Sequence, residues 1–280
     1  MSLAGKTWFV TGASAGFGKA IVREVIARGG NAVAAARNPD DIADLVSEAP
    51  ERVQAVKLDV TSDDQIAQSV SSALTRFGQI DVLVNNAGYG FLSTIEEAED
   101  GAVRRQFETN LFGPAALMRA VLPGMRERRD GYIVNVSSTA GSRGFAGSGY
   151  YSASKAALEA LTEALADEAR GLGIRAMIVA PGPFRTDFFG RSMQLPDNEI
   201  ADYANVLSQR QALASMDGQQ RGDPVRGARI IVDTVMGENP PLRLVLGGQA
   251  QPTIVGAYRT KIADLAWSET IAPQADFPDE

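Results

Sequence analysis

Residues 7–18 of the chain read TWFVTGASAGFG. The β-branched and aromatic residues of Thr7–Val10 predict a buried strand, and a helix predicted over Lys19–Arg28 follows the glycines and ends before Gly29. Glycine lets the backbone turn sharply and approach a pyrophosphate, and the free N–H groups at the start of the helix attract the anion. The stretch therefore predicts a dinucleotide-binding turn. Its G-x-x-x-G-x-G spacing differs from the common G-x-G-x-x-G, and a glycine-rich turn without ligand is the alternative.

Short strand patterns alternate with longer helical patterns along most of the chain. Strands such as Asp81–Val84 and Ala176–Val179 are apolar without alternation, which indicates burial on both faces. We therefore predict an α/β fold: a doubly wound, seven-stranded parallel Rossmann-like sheet with helices on both faces, formed by residues 1–280 as one domain. The six strands predicted after the first are Asn31–Ala36, Val53–Leu58, Ile80–Val84, Gly131–Val136, Ile174–Val179 and Arg243–Leu246. Further helices are predicted over Asp63–Phe77, Ala98–Arg128, Tyr150–Leu172 and Ala257–Trp267.

The composition excludes several kinds of chemistry. The sequence contains no cysteine and no histidine, which rules out disulfides, thiolate nucleophiles, Ser-His-Asp hydrolysis and His- or Cys-ligated metals. We expect no metal site, because no dense acidic cluster suggests one. The net charge of −7 argues against a nucleic-acid partner. Since no stretch is long and apolar enough for a signal peptide or a membrane span, we expect a cytoplasmic protein with no membrane partner.

The end of the second predicted strand bears on the choice of dinucleotide. A site that prefers NAD places an acidic residue there to bind the ribose hydroxyls, whereas here Ala36 is followed by Arg37. A guanidinium suits bidentate binding of a 2′-phosphate, and Ser14 of the glycine turn offers a hydroxyl as well. The pattern favours NADP(H); a solvated surface arginine is the alternative.

Tyr151 and Lys155 lie near the start of a predicted helix, four residues apart. This spacing places the phenol and the ammonium on one helical face. An ordinary phenol has a pKa of about 10 and is a poor base at neutral pH, whereas a nearby positive charge lowers its pKa. In a chain without histidine, this pair is the best candidate acid/base device. The alternative is a packed tyrosine beside an exposed lysine.

Five motifs occur in order along the chain: Thr11–Gly18, Asn85–Gly88, Asn135–Ser138, Tyr151–Lys155 and Pro181–Gly182. Together they resemble the compact, single-domain branch of the short-chain dehydrogenase/reductase family, over roughly Lys6 to Leu246. The resemblance implies an NADP(H)-dependent oxidoreductase that interconverts a carbonyl, expected to be a ketone, and a secondary alcohol by hydride transfer. The competing interpretations are a catalytically silent NADP(H)-binding sensor or scaffold and an isomerase that uses its nucleotide transiently.

The resemblance also implies roles for individual residues. Tyr151 is expected to act as general acid/base, Ser138 to hydrogen-bond the substrate oxygen, and Lys155 to hold the nicotinamide ribose and lower the pKa of the phenol. Asn110 matches an asparagine that anchors a water of the proton relay, with an exposed helical asparagine as the alternative; Ser137 is the alternative to Ser138. The expected cofactor-binding residues are Gly12, Ser14, Ala15, Gly16, Phe17, Gly18, Arg37, Asp59, Val60, Asn86, Ala87, Gly88, Tyr151, Lys155, Pro181, Gly182, Phe184 and Thr186.

Aromatic and apolar side chains follow several predicted strand ends, namely Tyr89, Phe91, Leu92, Phe145, Phe184, Phe188 and Phe189. If they converge at the carboxyl ends of the strands, the substrate is a medium-sized apolar ketone or alcohol; ordinary core packing is the alternative. Residues 188–223 are expected to form a substrate lid and residues 252–280 a C-terminal extension. The family resemblance suggests a homo-oligomer, a tetramer or dimer, built on helices 98–128 and 150–172.

Overall fold

The computed structural model of the chain describes residues 2–277. Seven strands form one parallel sheet, and two short strands pair separately, which confirms the predicted seven-stranded parallel sheet. The strands in chain order are β1 (Thr7–Thr11), β2 (Asn31–Ala36), β3 (Val53–Lys57), β4 (Val82–Asn85), β5 (Gly90–Phe91), β6 (Gly131–Val136), β7 (Ile174–Pro181), β8 (Met193–Gln194) and β9 (Arg243–Leu246). The large sheet has the order β3-β2-β1-β4-β6-β7-β9, and β5 pairs with β8.

Helices cover both faces of the large sheet. They are α1 (Gly16–Ala27), α2 (Ala43–Glu48), α3 (Asp63–Phe77), α4 (Asp100–Phe107), α5 (Gly113–Arg128), α6 (Gly149–Glu168), α7 (Ala204–Ser215), α8 (Pro224–Val235) and α9 (Ala250–Ala266). Within β1, Trp8 and Val10 pack into the cluster with α1 and α8, whereas Phe9 packs into the cluster with α3 and α5. Burial on both faces is the reason that this strand is apolar without alternation. Within residues 2–277, every helix is too short or too polar to cross a lipid bilayer.

The long helix predicted over Ala98–Arg128 is present as continuous helical backbone from Asp100 to Arg128, but a wide π-helical turn at Glu108–Phe112 lies between α4 and α5. Pro114 has no N–H to donate to the preceding turn, which favours an irregularity there. Gly113 also packs against the backbone of Val60, where a Cβ would lie 2.6 Å from the carbonyl oxygen. The irregular turn places one polar side chain, described below, beside the candidate site.

Other helix boundaries also differ from the prediction. The first helix begins at Gly16 rather than Lys19, because the low helix propensity of glycine hides its first turn in the sequence. The last long helix begins at Ala250, seven residues before the predicted Ala257. The helix after β6 ends at Glu168 rather than Leu172. Helix α2 was not expected, since six residues are too few for a clear helical pattern.

The strand order defines where a ligand can enter the sheet. The chain lays β2 and β3 on one side of β1 and the remaining strands on the other. Parallel sheets of this kind bind ligands outside the carboxyl ends of the strands, where the strand order reverses. The turns after β1 and β4 therefore flank the expected binding crevice.

Candidate active site

A cleft of about 670 Å³ lies at these carboxyl ends. Its lining contains most of the residues expected from the sequence to bind cofactor or substrate: Gly12, Ser14, Ala15, Gly16, Phe17, Arg37, Asp59, Val60, Asn86, Ala87, Gly88, Ser138, Tyr151, Lys155, Pro181, Gly182, Phe184 and Thr186. Two expected residues, Gly18 and Asn110, lie outside this lining. The fold therefore brings the predicted groups together in one crevice, although their individual contacts with a cofactor stay a prediction.

The glycine turn is tied to the end of β4 by polar contacts. The Asn86 side-chain nitrogen donates to the carbonyl oxygens of Thr11 at 2.9 Å and Gly12 at 3.2 Å. The Thr11 hydroxyl accepts from the backbone N–H groups of Asn86 and Ala87, both at 2.9 Å. Sequence reasoning did not single out Thr11 on its own, although a hydroxyl directly before the glycine was a usable signal. These bonds fix the position of the turn after β1 relative to the turn after β4, on the two sides of the crevice.

The start of α1 fits a pyrophosphate. Gly12 and Gly16 adopt φ values of +65° and +53°, which disfavour any side chain. The N-cap residue Ala15 makes no side-chain hydrogen bond, so the first N–H groups of α1 remain available at the cleft. A Cβ at Gly18 would overlap the carbonyl oxygen of Gly12. Gly18 therefore allows close packing behind the cleft rather than contact with a ligand.

Arg37 lies at one end of the cleft. The residue directly follows β2, is exposed and contributes to the cleft lining together with Asp59. The Asp59 carboxylate accepts hydrogen bonds from the backbone N–H and the hydroxyl of Thr61, at 3.0 and 2.7 Å. Three strand spacings, or about 14 Å, separate β2 from β6 across the sheet. A molecule that reaches from Arg37 to the end of β6 must be as long as an extended dinucleotide.

Ser138, Tyr151 and Lys155 occupy the opposite side of β1. Ser138 follows β6 and hydrogen-bonds the Tyr151 hydroxyl, and both tyrosine and lysine are buried on the first two turns of α6. The Lys155 ammonium donates to the carbonyl oxygen of Val136 at 2.8 Å. The neighbouring Tyr150 hydroxyl turns away and donates to the carbonyl oxygen of Ile95 at 3.2 Å. Tyr151 is therefore the phenol that faces the cleft.

Burial controls the protonation of both groups. Burial raises the pKa of Tyr151 to about 12, and the hydrogen bond from Ser138 opposes this rise. Burial lowers the pKa of Lys155 to about 8, and the charge of Glu159 opposes this fall. Desolvation of the phenolate is the dominant influence on the pKa of Tyr151. The expected lowering of this pKa by Lys155 stays a prediction. At neutral pH the phenol is protonated.

Asn110 lies in the π-helical turn between α4 and α5 and is fully buried, so the alternative of an exposed helical asparagine is wrong. Its side-chain oxygen accepts from the Tyr89 N–H at 3.1 Å, and its nitrogen donates to the Tyr89 carbonyl oxygen at 2.9 Å and to the Ser154 hydroxyl at 3.2 Å. A Cβ at Gly88 would lie 3.0 Å from Asn110 Oδ1 and 3.4 Å from Lys155 Nζ. Asn110 thus joins the loop after β4 to α6, and its role with a water stays a prediction.

Aromatic side chains line the cleft beside Tyr151. The Phe188 ring centroid lies 5.6 Å from that of Tyr151 and 5.7 Å from that of Phe189, and Tyr89 contributes to the same lining. Phe184 also lines the cleft, where its ring packs against Phe17 with centroids 4.7 Å apart.

Some of the aromatic and apolar residues that follow strand ends do not reach the cleft, so the alternative of packing elsewhere applies to them. Phe91 and Leu92 are buried outside the lining, and Phe145 packs against the Arg143 guanidinium instead. These residues follow strands, as predicted, but the conformation of the chain after each strand decides whether a side chain reaches the cleft. Several polar residues that line the cleft were also missed, because they lie on α4, the π-helical turn, the loop after β7 and β8. They are Arg105, Glu108, Thr109, Asp187, Arg191 and Gln194. The lining of the crevice is therefore mixed, with aromatic rings packed against Tyr151 and several charged and polar side chains.

Comparisons with known proteins agree with this geometry. The family model described as short chain dehydrogenase matches residues 6–195. Oxidoreductase BOA17 of Botryotinia fuckeliana is 37% identical over 246 residues, which cover 88% of this chain and 90% of that protein. The 3-ketodihydrosphingosine reductase of Bacteroides thetaiotaomicron is 34% identical over 243 residues, which cover 86% of this chain and 88% of that protein.

Solved structures show the same architecture. A short-chain dehydrogenase from Streptomyces avermitilis superposes with a TM-score of 0.90 at 42% sequence identity, and the match covers 97% of this chain and 100% of that one. Further similar structures of short-chain enzymes contain NADP in some cases and NAD in another. The chain therefore belongs to the short-chain dehydrogenase/reductase family, whose members are oxidoreductases acting on C–OH and C=O groups.

Proposed function

We propose that the protein is an NADP(H)-dependent oxidoreductase that interconverts an apolar ketone and its secondary alcohol, with Tyr151 as general acid/base. The observation that carries the proposal is the position of Tyr151 and Ser138 in the same cleft as the glycine turn and Arg37. A sensor or scaffold that only binds dinucleotide needs neither the buried phenol nor its serine partner. Turnover requires both, which favours the enzyme.

The chain's own groups suit carbonyl reduction. A bound nicotinamide would supply the hydride. Because burial raises the pKa of Tyr151 to about 12, the phenol keeps its proton at neutral pH and donates it to the substrate oxygen. The Ser138 hydroxyl donates a hydrogen bond to the same oxygen as negative charge develops on it. Lys155, with its ammonium in the cleft wall next to Gly88, would hold the ribose and stabilise the phenolate that remains.

Three features support NADP(H) over NAD(H). The residue that follows β2 is the exposed Arg37, whose guanidinium matches a phosphate in two-point geometry. The cleft also contains Ser14, whose hydroxyl can bind the same phosphate. The end of β2 lacks the acidic residue that would bind ribose hydroxyls and repel a phosphate.

The apolar end of the cleft supports a ketone on a hydrophobic body. The Phe188 ring packs against those of Tyr151 and Phe189, and Tyr89 lines the same cleft. The carbonyl must lie beside the Tyr151 hydroxyl to receive the proton. The similarity to a reductase named for 3-ketodihydrosphingosine, a ketone on a long apolar chain, agrees with this assignment. Residues 188–194 lie against this end of the cleft, as a substrate lid would require.

The decisive experiment compares two adjacent tyrosines. We expect Tyr151→Phe to reduce turnover by about 10²–10⁴-fold, the usual loss for a general acid–base group, with unchanged NADPH affinity. Tyr150→Phe removes the same hydroxyl one residue away, outside the cleft, and should retain wild-type turnover. The assay follows the loss of NADPH absorbance with a panel of aliphatic and aryl ketones. Near-normal turnover by Tyr151→Phe would refute the proton-transfer role.

A further inference from the structure

Glu159 is a buried carboxylate with no part in the reaction outlined above. It lies on α6 one helical turn beyond Lys155 and two turns beyond Tyr151, so the three side chains share one helical face. Its Oε1 atom accepts a hydrogen bond from the Ser137 hydroxyl at 2.5 Å. Ser137 directly precedes Ser138, which connects Glu159 to the substrate-binding hydroxyl through one peptide unit.

The contacts between α6 and the end of β6 follow a regular pattern. Tyr151 hydrogen-bonds Ser138, Lys155 bonds the carbonyl oxygen of Val136, and Glu159 bonds Ser137. Three turns of the helix thus hold three consecutive residues of the strand end. Glu159 lies outside the cleft lining, unlike Tyr151 and Lys155, yet its contact with Ser137 at 2.5 Å is shorter than the 2.8 Å contact of Lys155.

The turn that follows Ser138 is built around the same carboxylate. A Cβ at Gly141 would overlap Glu159 Oε1 and lie 2.7 Å from the Ser137 hydroxyl, so glycine leaves room for the bond. The Ser137 N–H donates to the Val179 carbonyl oxygen at 2.7 Å, and Ser138 Oγ accepts from the Ala140 N–H at 3.2 Å. Backbone and carboxylate together therefore determine where the Ser138 hydroxyl points.

Charged groups from three elements face Glu159. Lys155 lies on the same helix, Arg243 of β9 places its Nε 3.9 Å from Glu159 Oε2, and Lys261 of α9 contributes a weaker attraction. Glu163, one turn further along α6, pairs with the same arginine. Burial raises the pKa of Glu159 above its ordinary value, although Ser137 and the three cations oppose this rise. In return, the charge of Glu159 raises the pKa of Lys155 against the effect of burial.

We propose that Glu159 is a positioning residue that anchors the Ser137–Ser138 strand end and balances the charge of the buried Lys155. This inference rests on the proposed function, since it assigns Glu159 a role through Ser138 and Lys155. The carboxylate touches neither substrate nor cofactor. It acts in two separable ways, through the hydrogen bond to Ser137 and through its negative charge.

Two substitutions separate these effects. Glu159→Gln keeps an oxygen acceptor for Ser137 but removes the charge, whereas Ser137→Ala removes the hydrogen bond and keeps the charge. Glu159→Asp is the conservative variant, because it retains the carboxylate. Glu168→Gln makes the same charge change at the exposed end of α6 and serves as the matched control.

The charge effect is measured on Lys155 itself. The sequence has five lysines, so lysine labelled with ¹³C at Cε gives few NMR signals, and a Lys155→Arg variant assigns the one of interest. We expect the pKa of Lys155 to fall by about one unit in Glu159→Gln, and the alkaline limb of the pH profile of kcat/KM to move with it. Glu159→Asp retains the negative charge, so the pKa of Lys155 should stay close to its wild-type value. Glu168→Gln and Ser137→Ala should leave the pKa of Lys155 at the wild-type value.

The positioning effect is measured by kinetics. We expect Ser137→Ala to lower kcat by about tenfold with KM changed less than about twofold, because the hydroxyl of Ser138 loses its fixed position in the transition state. An unchanged Lys155 pKa in Glu159→Gln, or a wild-type kcat in Ser137→Ala, would overturn the inference. If Glu159→Gln does not fold, as judged by circular dichroism and NADPH binding, the kcat of Ser137→Ala decides.

Failure of the proposed function has a different signature. A Tyr151→Phe variant with normal turnover would remove the acid/base assignment, yet the NMR titration of Lys155 would still report whether Glu159 controls its charge. Conversely, an inactive Tyr151→Phe together with an unmoved Lys155 pKa would retain the proposed reaction and refute the role of Glu159. The two ideas are therefore tested independently.

Discussion

At the scale of single residues, the proposed preference for NADP(H) depends most on Arg37. The side chain follows the end of β2 and is exposed at the cleft, so its guanidinium is available to an anion without breaking an internal structure. The 2′-phosphate is the only group that distinguishes NADPH from NADH. Substitution at this position should therefore separate the two cofactors.

We expect Arg37→Glu to weaken NADPH binding by about 100-fold, because a charge-assisted bond is lost and a repulsion is introduced. The affinity for NADH should change by less than about threefold. Titration of intrinsic fluorescence with each cofactor measures both constants. Arg226→Glu makes the same charge change on an exposed residue of α8 outside the cleft lining and should alter neither. Equal losses for NADPH and NADH in Arg37→Glu would contradict the assignment.

At the scale of elements, residues 188–223 are held to the rest of the protein by a buried carboxylate. Glu97 follows β5, and its side chain accepts hydrogen bonds from the N–H groups of Ile200 and Thr94, both at 3.0 Å. It also forms a buried ion pair with Arg210 of α7. This contact cluster, together with the pairing of β5 and β8, determines how the expected lid lies on the cleft. Opening and closing of the lid stay a prediction.

The Glu97 cluster should make stability depend on pH. Burial alone would raise the pKa of Glu97, but the two N–H groups and Arg210 lower it from 4.5 to about 2. A carboxylate with a lowered pKa in the folded state stabilises the fold above pH 4.5 and loses this contribution as the pH falls towards 2. The full contribution corresponds to about 3 kcal/mol of unfolding free energy.

We expect the wild-type unfolding free energy, measured with urea, to decrease between about pH 5 and pH 3 more steeply than that of Glu97→Gln. The variant should also be less stable at neutral pH, because the buried Arg210 loses its partner. Glu51→Gln, an exposed carboxylate in the loop before β3, is the control and should follow the wild-type curve. If the unfolding free energies of wild type and Glu97→Gln changed with pH in parallel, Glu97 would not titrate as described.

At the scale of the whole molecule, the sheet and its two helical layers account for the core, and α9 closes one end. Ala250, Ile254 and Ala257 of α9 are buried, and Ala250 packs beside Gly182 of the cleft wall. In contrast, the residues from Trp267 to Phe277 are largely exposed. The exposed outer face of α6, which includes Ala156 and Leu161, is compatible with the expected oligomer, whose existence stays a prediction.

We expect a chain that ends at Ala266 to bind NADPH normally and to lose less than about 1 kcal/mol of unfolding free energy, because little buried surface is removed. A chain that ends at Gln249 lacks the buried side chains of α9 and should lose several times as much. Urea unfolding and fluorescence titration measure both quantities. A marked loss of stability in the longer truncated chain would show that residues after Ala266 contribute to the core.

Much of the fold and the candidate site was predictable from short-range patterns. The apolar strands, the glycine turn and the spacing of Tyr151 and Lys155 depend on residues within a few positions of one another, where backbone geometry alone relates them. Asn38 and Ser62 are similarly local signals, because each side chain accepts a hydrogen bond from a backbone N–H two or three residues later. These local features were sufficient to predict a parallel sheet and the edge at which its cleft lies.

The sequence by itself thus determined the seven strands of the main sheet, the glycine turn after β1 and the chemical types present at the candidate site. Only the tertiary structure decided which side chains face one another across the sheet: the bond of Glu159 to Ser137, the burial of Asn110, the aromatics that reach the cleft, and the raised pKa of Tyr151. The physical reason is range. Periodicity acts between near neighbours in sequence, whereas burial and electrostatic interaction depend on groups that the fold brings together from distant parts of the chain.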